Sequence, residues 1–491
     1  MKLYLNGHNC RYASEQMLLT MFPDERPEYP EGTPCGDFAE LDLFEGEKRF
    51  TAVCRLCLGG KTYIGKSYAS KSRMVSELTK ARLIQRIVKL SFYRAALASG
   101  KPKPVWGALT GIRPGKLLSN LLAQGMSDDA ALSKFCRDND VSRDRARLCL
   151  HTAHAALSCA DNLREKDVCL YIGIPFCPTR CAYCSFVSQS VEKSMKLIPD
   201  FLDALYCEIE ATAAAIKKLG LRPVSIYVGG GTPTTLSAEQ LDTLFSRLES
   251  EFCLSDITEI TVEAGRPDTI AEDKLEALKR HGVTRISVNP QTMDDKVLEA
   301  IGRRHTAQDV LDALQLVRSA GGFQVNMDLI AGLPADSPEG FAETVRKVLD
   351  LSPENITVHT LALKKGSAIM LGNTPRPSAE DVGKMIDFAN SSLVGAGYEP
   401  YYLYRQKYMS GGFENVGWQR GGTANIYNIC IMEELCSIIS MGGGASTKLC
   451  LGDGRIERIF DPKYPLEYIE RIDKIISDKQ KMKEILLWHT N

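Results

Sequence analysis

The stretch YIGIPFCPTRCAYCSF, Tyr171 to Phe186, decides the fold. An apolar run ends in three cysteines spaced C-x3-C-x2-C, so a buried strand hands the chain to a loop that gathers the thiols of Cys177, Cys181 and Cys184. Thiolates at this spacing converge on a compact metal centre, and three readings compete. Structural zinc asks for four ligands in a closed tetrahedron, and no further Cys or His follows at zinc-finger spacing. A disulfide pair belongs to an oxidising compartment. A cubane of four irons is ordinarily held by four thiolates; this loop supplies three, which leaves one iron for a substrate ligand.

Outward from the loop, short apolar runs alternate with long amphipathic stretches. Strands are predicted at 169–174, 225–228, 259–263, 285–289, 324–329 and 355–359, with helices at 238–251, 272–280, 307–319 and 339–351. Strand, helix, strand at these intervals is a parallel repeat that builds an α/β fold, a barrel or a doubly wound sheet, and as a barrel six units give an incomplete (β/α)6 one. Chemistry in such folds collects at the C-terminal ends of the strands. The unusual residues fall there: the cysteine loop, GGGTPT from Gly229 to Thr234, Glu263 ending the third strand, Gln291 after the fourth, and Asp328 in the fifth.

The glycines of GGGTPT permit φ > 0 and close backbone approach to a ligand. A phosphate loop is the rival reading, but its Gly-Lys-Ser/Thr ending is absent. A plain tight turn is the other. Glu263 and Asp328 are acids in strands expected to be buried, a costly place without a partner, so each is a ligand-binding acid, a helix cap or one side of an internal salt bridge. Asn326 and Asp328 share one strand face, which suggests a polar barrel interior.

Around this core lie an α+β N-terminal module at 1–160, with an alternating hairpin candidate at 38–59, the barrel at 161–375, and a C-terminal extension at 376–491 that closes the barrel or covers the substrate. WGALTGIRPGK, Trp106 to Lys116, reads as a turn between helices. With 60 basic and 61 acidic residues the formal charge is -1, which argues against nucleic acid or an anionic membrane as partner. No run approaches the roughly 20 apolar residues of a membrane span, and the start lacks a secretory pattern, so a cytoplasmic location is expected. Of the 16 cysteines, the 13 outside the loop are read as ordinary thiols, with Cys149, Cys207 and Cys253 as small buried hydrophobes.

Together, YIxIPFC, C-x3-C-x-Tyr-C, GGGTPT, the Glu263 strand, RISVNPQ, GRRH and DLIAGLP, in this order, resemble the radical S-adenosylmethionine enzymes, and among them the oxygen-independent coproporphyrinogen III oxidase family in its HemZ-type branch. The resemblance covers about residues 165–450. It implies a [4Fe-4S] cluster on Cys177, Cys181 and Cys184 with one open iron. It also implies contacts to S-adenosylmethionine from Tyr171, Tyr183, Gly230, Gly231, Thr232, Glu263, Gln291, Arg303, Asp328 and Ala362. The implied activity is oxidative decarboxylation of coproporphyrinogen III, a tetrapyrrole, to protoporphyrinogen IX, with flavodoxin or ferredoxin as electron donor. Two departures bear on the substrate: Phe186 stands where the oxidase pattern has a fourth cysteine, and Gly173 where it has a histidine. A haem chaperone and a radical methyltransferase that opens the haem ring are the alternatives, with His359 the histidine to watch as a haem ligand.

Overall fold

Alternation of apolar and polar residues at 38–59 gives a hairpin. Phe38–Glu45 and Arg49–Leu58 pair antiparallel and turn Leu41, Ala52, Cys54 and Leu56 inward to full burial. Lys2–Asn6 and Lys61–Ser70 flank them, and helices Arg11–Met21 and Glu77–Ala98 cover the inner face through Met17, Leu18, Val88 and Phe92. Glu77–Ala98 starts at Ser76, whose hydroxyl oxygen accepts the Thr79 N–H at 3.2 Å. It meets the sheet at Gly65, where a Cβ would lie 2.0 Å from the Ser91 carbonyl oxygen.

This is the computed structural model of the chain, and it describes residues 1–184, 189–190, 195–362, 375–406, 410–451 and 454–487. They form two compact units, 1–112 with 121–147, and 113–120 with 148–491. Among the described residues no helix is long and apolar enough to cross a membrane.

In the larger unit the predicted repeat is present: β1 (Asp167–Ile174), β2 (Arg222–Gly230), β3 (Glu259–Glu263), β4 (Arg285–Ser287), β5 (Gln324–Ala331) and β6 (Asn355–Thr360) lie side by side in chain order, all parallel. The main helices between them are α1 (Ile198–Leu219), α2 (Ala238–Glu251), α3 (Glu272–Arg280), α4 (Ala307–Ala320) and α5 (Pro338–Leu351). Their starts are set locally. Ser237 with Gln240 and Thr306 with Asp309 form capping boxes at α2 and α4, and Ser337 caps α5 ahead of Pro338.

Strand residues alternate sharply. Leu170, Ile172, Ile226, Val262, Met327 and Val358 point to the helices and are 1 % exposed or less, each such burial stabilising by about 1.5–3 kcal/mol. Their neighbours, among them Tyr171, Tyr227, Thr261, Arg285, Asn326 and Thr357, occupy the opposite face, so the interior is polar and aromatic. On α1, Phe201, Leu205, Ile209 and Ile216 are buried while Cys207 is exposed, as is Cys253; the sequence reading of these two as buried fails because each falls on the solvent side of its element.

Residues after 375 extend the sheet at both edges. β7 (Glu399–Tyr404) and β8 (Asn415–Gln419) add antiparallel strands beyond β6. β9 (Ser437–Gly442) runs parallel to β1 on the far side, followed by β10 (Ser446–Cys450) and β11 (Ile456–Phe460). The same region floors the barrel at the N-terminal ends of its strands. Arg285 pairs with Glu259 at 3.3 Å, bonds Asn355, and donates to the Thr423 carbonyl at 2.9 Å. Asn425 donates to Thr261 Oγ1 at 3.0 Å, and Tyr427 stacks on Tyr227 and Tyr171 at centroid distances of 4.4 and 6.0 Å.

Candidate active site

With the floor sealed by polar contacts, the C-terminal ends of β1–β6 form the mouth, and the cysteine loop leaves β1 there. Phe176 anchors it, fully buried and edge-on to Phe201 at 5.2 Å. Cys177 follows in a two-residue strand paired with Gln189–Ser190. The loop rests on the glycine turn after β2: Gly231 N–H donates to the Ile174 carbonyl at 2.8 Å and Thr232 N–H to Phe176 at 2.7 Å. A Cβ on residue 231 would stand 2.4 Å from the Phe176 oxygen, and Gly230 has φ +105°, so only glycine allows this approach. The Thr232 hydroxyl reaches Cys177 Sγ at 3.4 Å.

Two arginines fix the rest of the loop. Arg266, directly after β3, donates to Thr179 Oγ1 at 2.8 Å and to Cys181 Sγ at 3.8 Å, and is oriented by Asp268 at 3.1 Å. Arg303 donates to the Asn289 carbonyl at 2.7 Å, the Gly265 carbonyl at 3.3 Å and the Tyr183 hydroxyl at 3.2 Å. Ala182 N–H bonds the Ile301 carbonyl at 3.0 Å, and Cys184 N–H closes a turn on Cys181 at 3.1 Å. All three loop cysteines are half-buried. Phe186 lies outside the described residues.

Two carboxylates face the interior with opposite tendencies. Burial pushes the Glu263 carboxyl up to about 7, although it accepts the Tyr227 hydroxyl at 2.5 Å and a backbone N–H from Gly230. Burial also acts on Asp328, but the neighbouring His359, Asn326 and Thr357 side chains outweigh it and hold that carboxyl below its ordinary value. Asn326 Nδ2 lies 2.8 Å from Asp328 Oδ1, and His359 Nε2 lies 3.8 Å from Oδ2.

Gln291 is the outlier of the mouth. Its φ is +67°, unusual for a residue with a side chain, and it is held there because its N–H donates to the Asp328 carbonyl at 2.9 Å and its own carbonyl accepts Ile330 N–H at 3.0 Å. Its side-chain Oε1 is buried with no hydrogen-bond partner. Strained backbone carrying an orphan acceptor marks a ligand-facing residue.

Of the residues singled out from sequence, Cys177, Cys181, Cys184, Tyr183, Gly230, Gly231, Thr232, Glu263, Gln291, Arg303 and Asp328 therefore all lie at the strand ends or on the loop above them. Tyr171 sits deeper, stacked against Tyr227 at 6.3 Å and Tyr427 at 6.0 Å. Ala362 follows β6 directly, half-buried, at the edge of the described residues. The sequence reading missed Arg266, Asn289 and Tyr227. An arginine just past the Glu263 strand, in EAGRP, was the available signal for the first. The soft donor set, the glycine cradle and the orphan acceptor suit a thiolate-held iron-sulfur cluster with a polar ligand beside it.

Residues 171–348 match the family model described as the radical SAM superfamily. The chain is 40% identical over 385 residues to the oxygen-independent coproporphyrinogen-III oxidase-like protein HemZ of Bacillus subtilis, covering 77% of each. It is 28% identical to the heme chaperone HemW of Haemophilus influenzae, over 61% of this chain and 75% of that one. Its fold is similar to that of coproporphyrinogen III oxidase (HemN) from Escherichia coli, with TM-score 0.52 and 24% identity over 65% of this chain and 72% of that one.

Proposed function

Because the chain belongs to the radical SAM family of oxygen-independent coproporphyrinogen-III oxidase-like proteins represented by HemZ, we propose that it oxidatively decarboxylates the propionate side chains of coproporphyrinogen III, in haem biosynthesis. The observation that carries this reading is a loop offering three thiols, not four, over a mouth that holds a near-neutral carboxyl and an orphan acceptor. Cys177, Cys181 and Cys184 are the ligands of a [4Fe-4S] cluster whose fourth iron is left for S-adenosylmethionine. When bound, cluster and cofactor would supply a radical able to take a β-hydrogen from a propionate, whose conversion to a vinyl group would release carbon dioxide and pass one electron to an acceptor.

The chain's own groups divide the remaining work. Thr232 and Arg266, donating to Cys177 Sγ and Cys181 Sγ, draw charge from the thiolates. Arg303 fixes Tyr183 and so the loop's far end. Glu263 takes the cationic amino group of the cofactor, and Gln291 and Asp328 offer acceptors on the facing strands. Tyr171, Gly230, Gly231 and Ala362 shape the walls. Flavodoxin or ferredoxin delivers the electron.

Haem chaperoning is the second reading, favoured by Phe186 and by the HemW relatives. Against it, the ring nitrogen of His359 that an axial bond would use faces Asp328. Reconstituted anaerobic protein given coproporphyrinogen III, S-adenosylmethionine and reduced flavodoxin tests the choice. Vinyl product with 5′-deoxyadenosine is expected; stoichiometric haem binding with no vinyl product moves the assignment to a chaperone.

A further inference from the structure

A second group of thiols lies away from the mouth. Cys169, Cys430 and Cys436 are all buried, and their sulfur atoms all lie within 4.8 Å of one another. They come from separate parts of the chain: Cys169 from β1, two residues before Tyr171 on the same face, Cys430 from the helix Ile426–Glu433, and Cys436 from the residue just ahead of β9. A fourth, half-buried Cys159 of the helix Arg143–Asn162, packs against the same cluster, outside the group of three whose sulfurs all lie within 4.8 Å of one another. Nearby Cys450 is committed elsewhere, donating to the Cys436 carbonyl at 3.2 Å.

Cysteines that merely fill a core scatter through it as small hydrophobes. Here three meet with a fourth packed beside them, walled by Val224, Tyr427, Ile438 and Leu163. The spacing of one pair fits zinc. Tetrahedral zinc with sulfur at about 2.3 Å holds its thiolates roughly 3.8 Å apart, and Cys169 Sγ stands 3.7 Å from Cys436 Sγ. A cubane, with four irons between its thiolates, holds them considerably farther apart.

We propose that Cys159, Cys169, Cys430 and Cys436 form a closed structural site for one zinc ion, separate from the cysteine loop. Each ligating thiol gives up its proton to solvent as the sulfur-metal bond forms, and no redox partner is needed. With all four positions taken by the protein the metal has no open coordination site, so its work is structural. It ties β1, β9 and two helices together and, three residues from Cys430, holds Tyr427 in the stack under Tyr171 and Tyr227.

Full-length protein, expressed with added zinc and purified anaerobically without chelator, tests this by metal analysis and zinc X-ray absorption. One zinc per chain is expected, with sulfur neighbours only, and Cys181→Ala keeps that zinc while losing its iron. In Cys430→Ser zinc falls severalfold while iron is retained. If that variant fails to fold, the wild-type spectrum decides alone. Zinc near zero in the folded wild type, nitrogen or oxygen neighbours around it, a Cys169–Cys436 disulfide in the anaerobic peptide map, or loss of iron instead of zinc in Cys430→Ser each overturns the site. None of these readouts depends on the substrate of the radical chemistry.

Discussion

Glu263 shows how one side chain links burial to ligand binding. Its carboxyl, held near 7, is half-protonated in neutral solution, and a cationic amino group beside it would favour the ionised form. On this proposal binding of S-adenosylmethionine should release a proton, and affinity is expected to fall as pH drops through 7, approaching tenfold per unit below it. Glu263→Gln should bind more weakly and lose this pH dependence while keeping its iron; calorimetry between pH 6 and 8 measures both, and a pH-dependent affinity that survives in the variant removes Glu263 from the site. Cys181→Ala should lose the brown chromophore and all deoxyadenosine formation. Full iron and sulfide content in that variant would mean another ligand set. The thiols, Glu263 and Asp328 were legible in the sequence because a residue type out of place at a strand end is visible without a structure. Arg266 and Tyr227 were not, since an arginine after a strand and a tyrosine within one are commonplace until the register sets Arg266 beside Cys181 and Tyr227 beside Glu263.

At the scale of elements, the βα repeat was readable because its two periods differ: strand residues alternate while α2 and α5 show wide apolar stripes behind Ser caps. What joins distant elements left no such trace. Lys479, in the helix Ile472–Gln480, is wholly buried between Glu208 of α1 at 2.9 Å and Asp461 at 3.0 Å, and Glu208 also accepts the Tyr468 hydroxyl and Gly442 N–H. Removing the cation leaves two carboxylates unpaired in a dry place. Lys479→Ala should lower stability by about 3–5 kcal/mol, measurable by urea unfolding; a change within experimental error would mean that the acids take up protons at little cost. Gly231→Ala should keep the fold but push the loop from the turn after β2, so cluster content falls while the circular dichroism spectrum stays that of the wild type.

For the molecule as a whole, the six parallel strands do not stand alone. β8 and β9 cover the edges of β6 and β1, and residues 423–427 seal the floor. A chain ended at residue 375 would expose two strand edges and the polar base of the interior, and is expected to be insoluble or aggregated. A soluble monomer by sedimentation would show that the barrel holds without its extension. Nothing local predicts this arrangement, because the tail carries no repeat and its role exists only through strands formed far upstream.

That distance has a consequence for synthesis. Cys169 in β1 and Cys436 just ahead of β9 are 267 residues apart, so β1 emerges from the ribosome long before β9, the neighbour on its far edge, does. At about 5–20 residues per second the wait is roughly 15–50 s, during which a sticky ribbon of unmatched amides is presented to the cell. Slowing or pausing translation inside that window should raise the yield of misassembled protein far more than pausing after β9 has appeared.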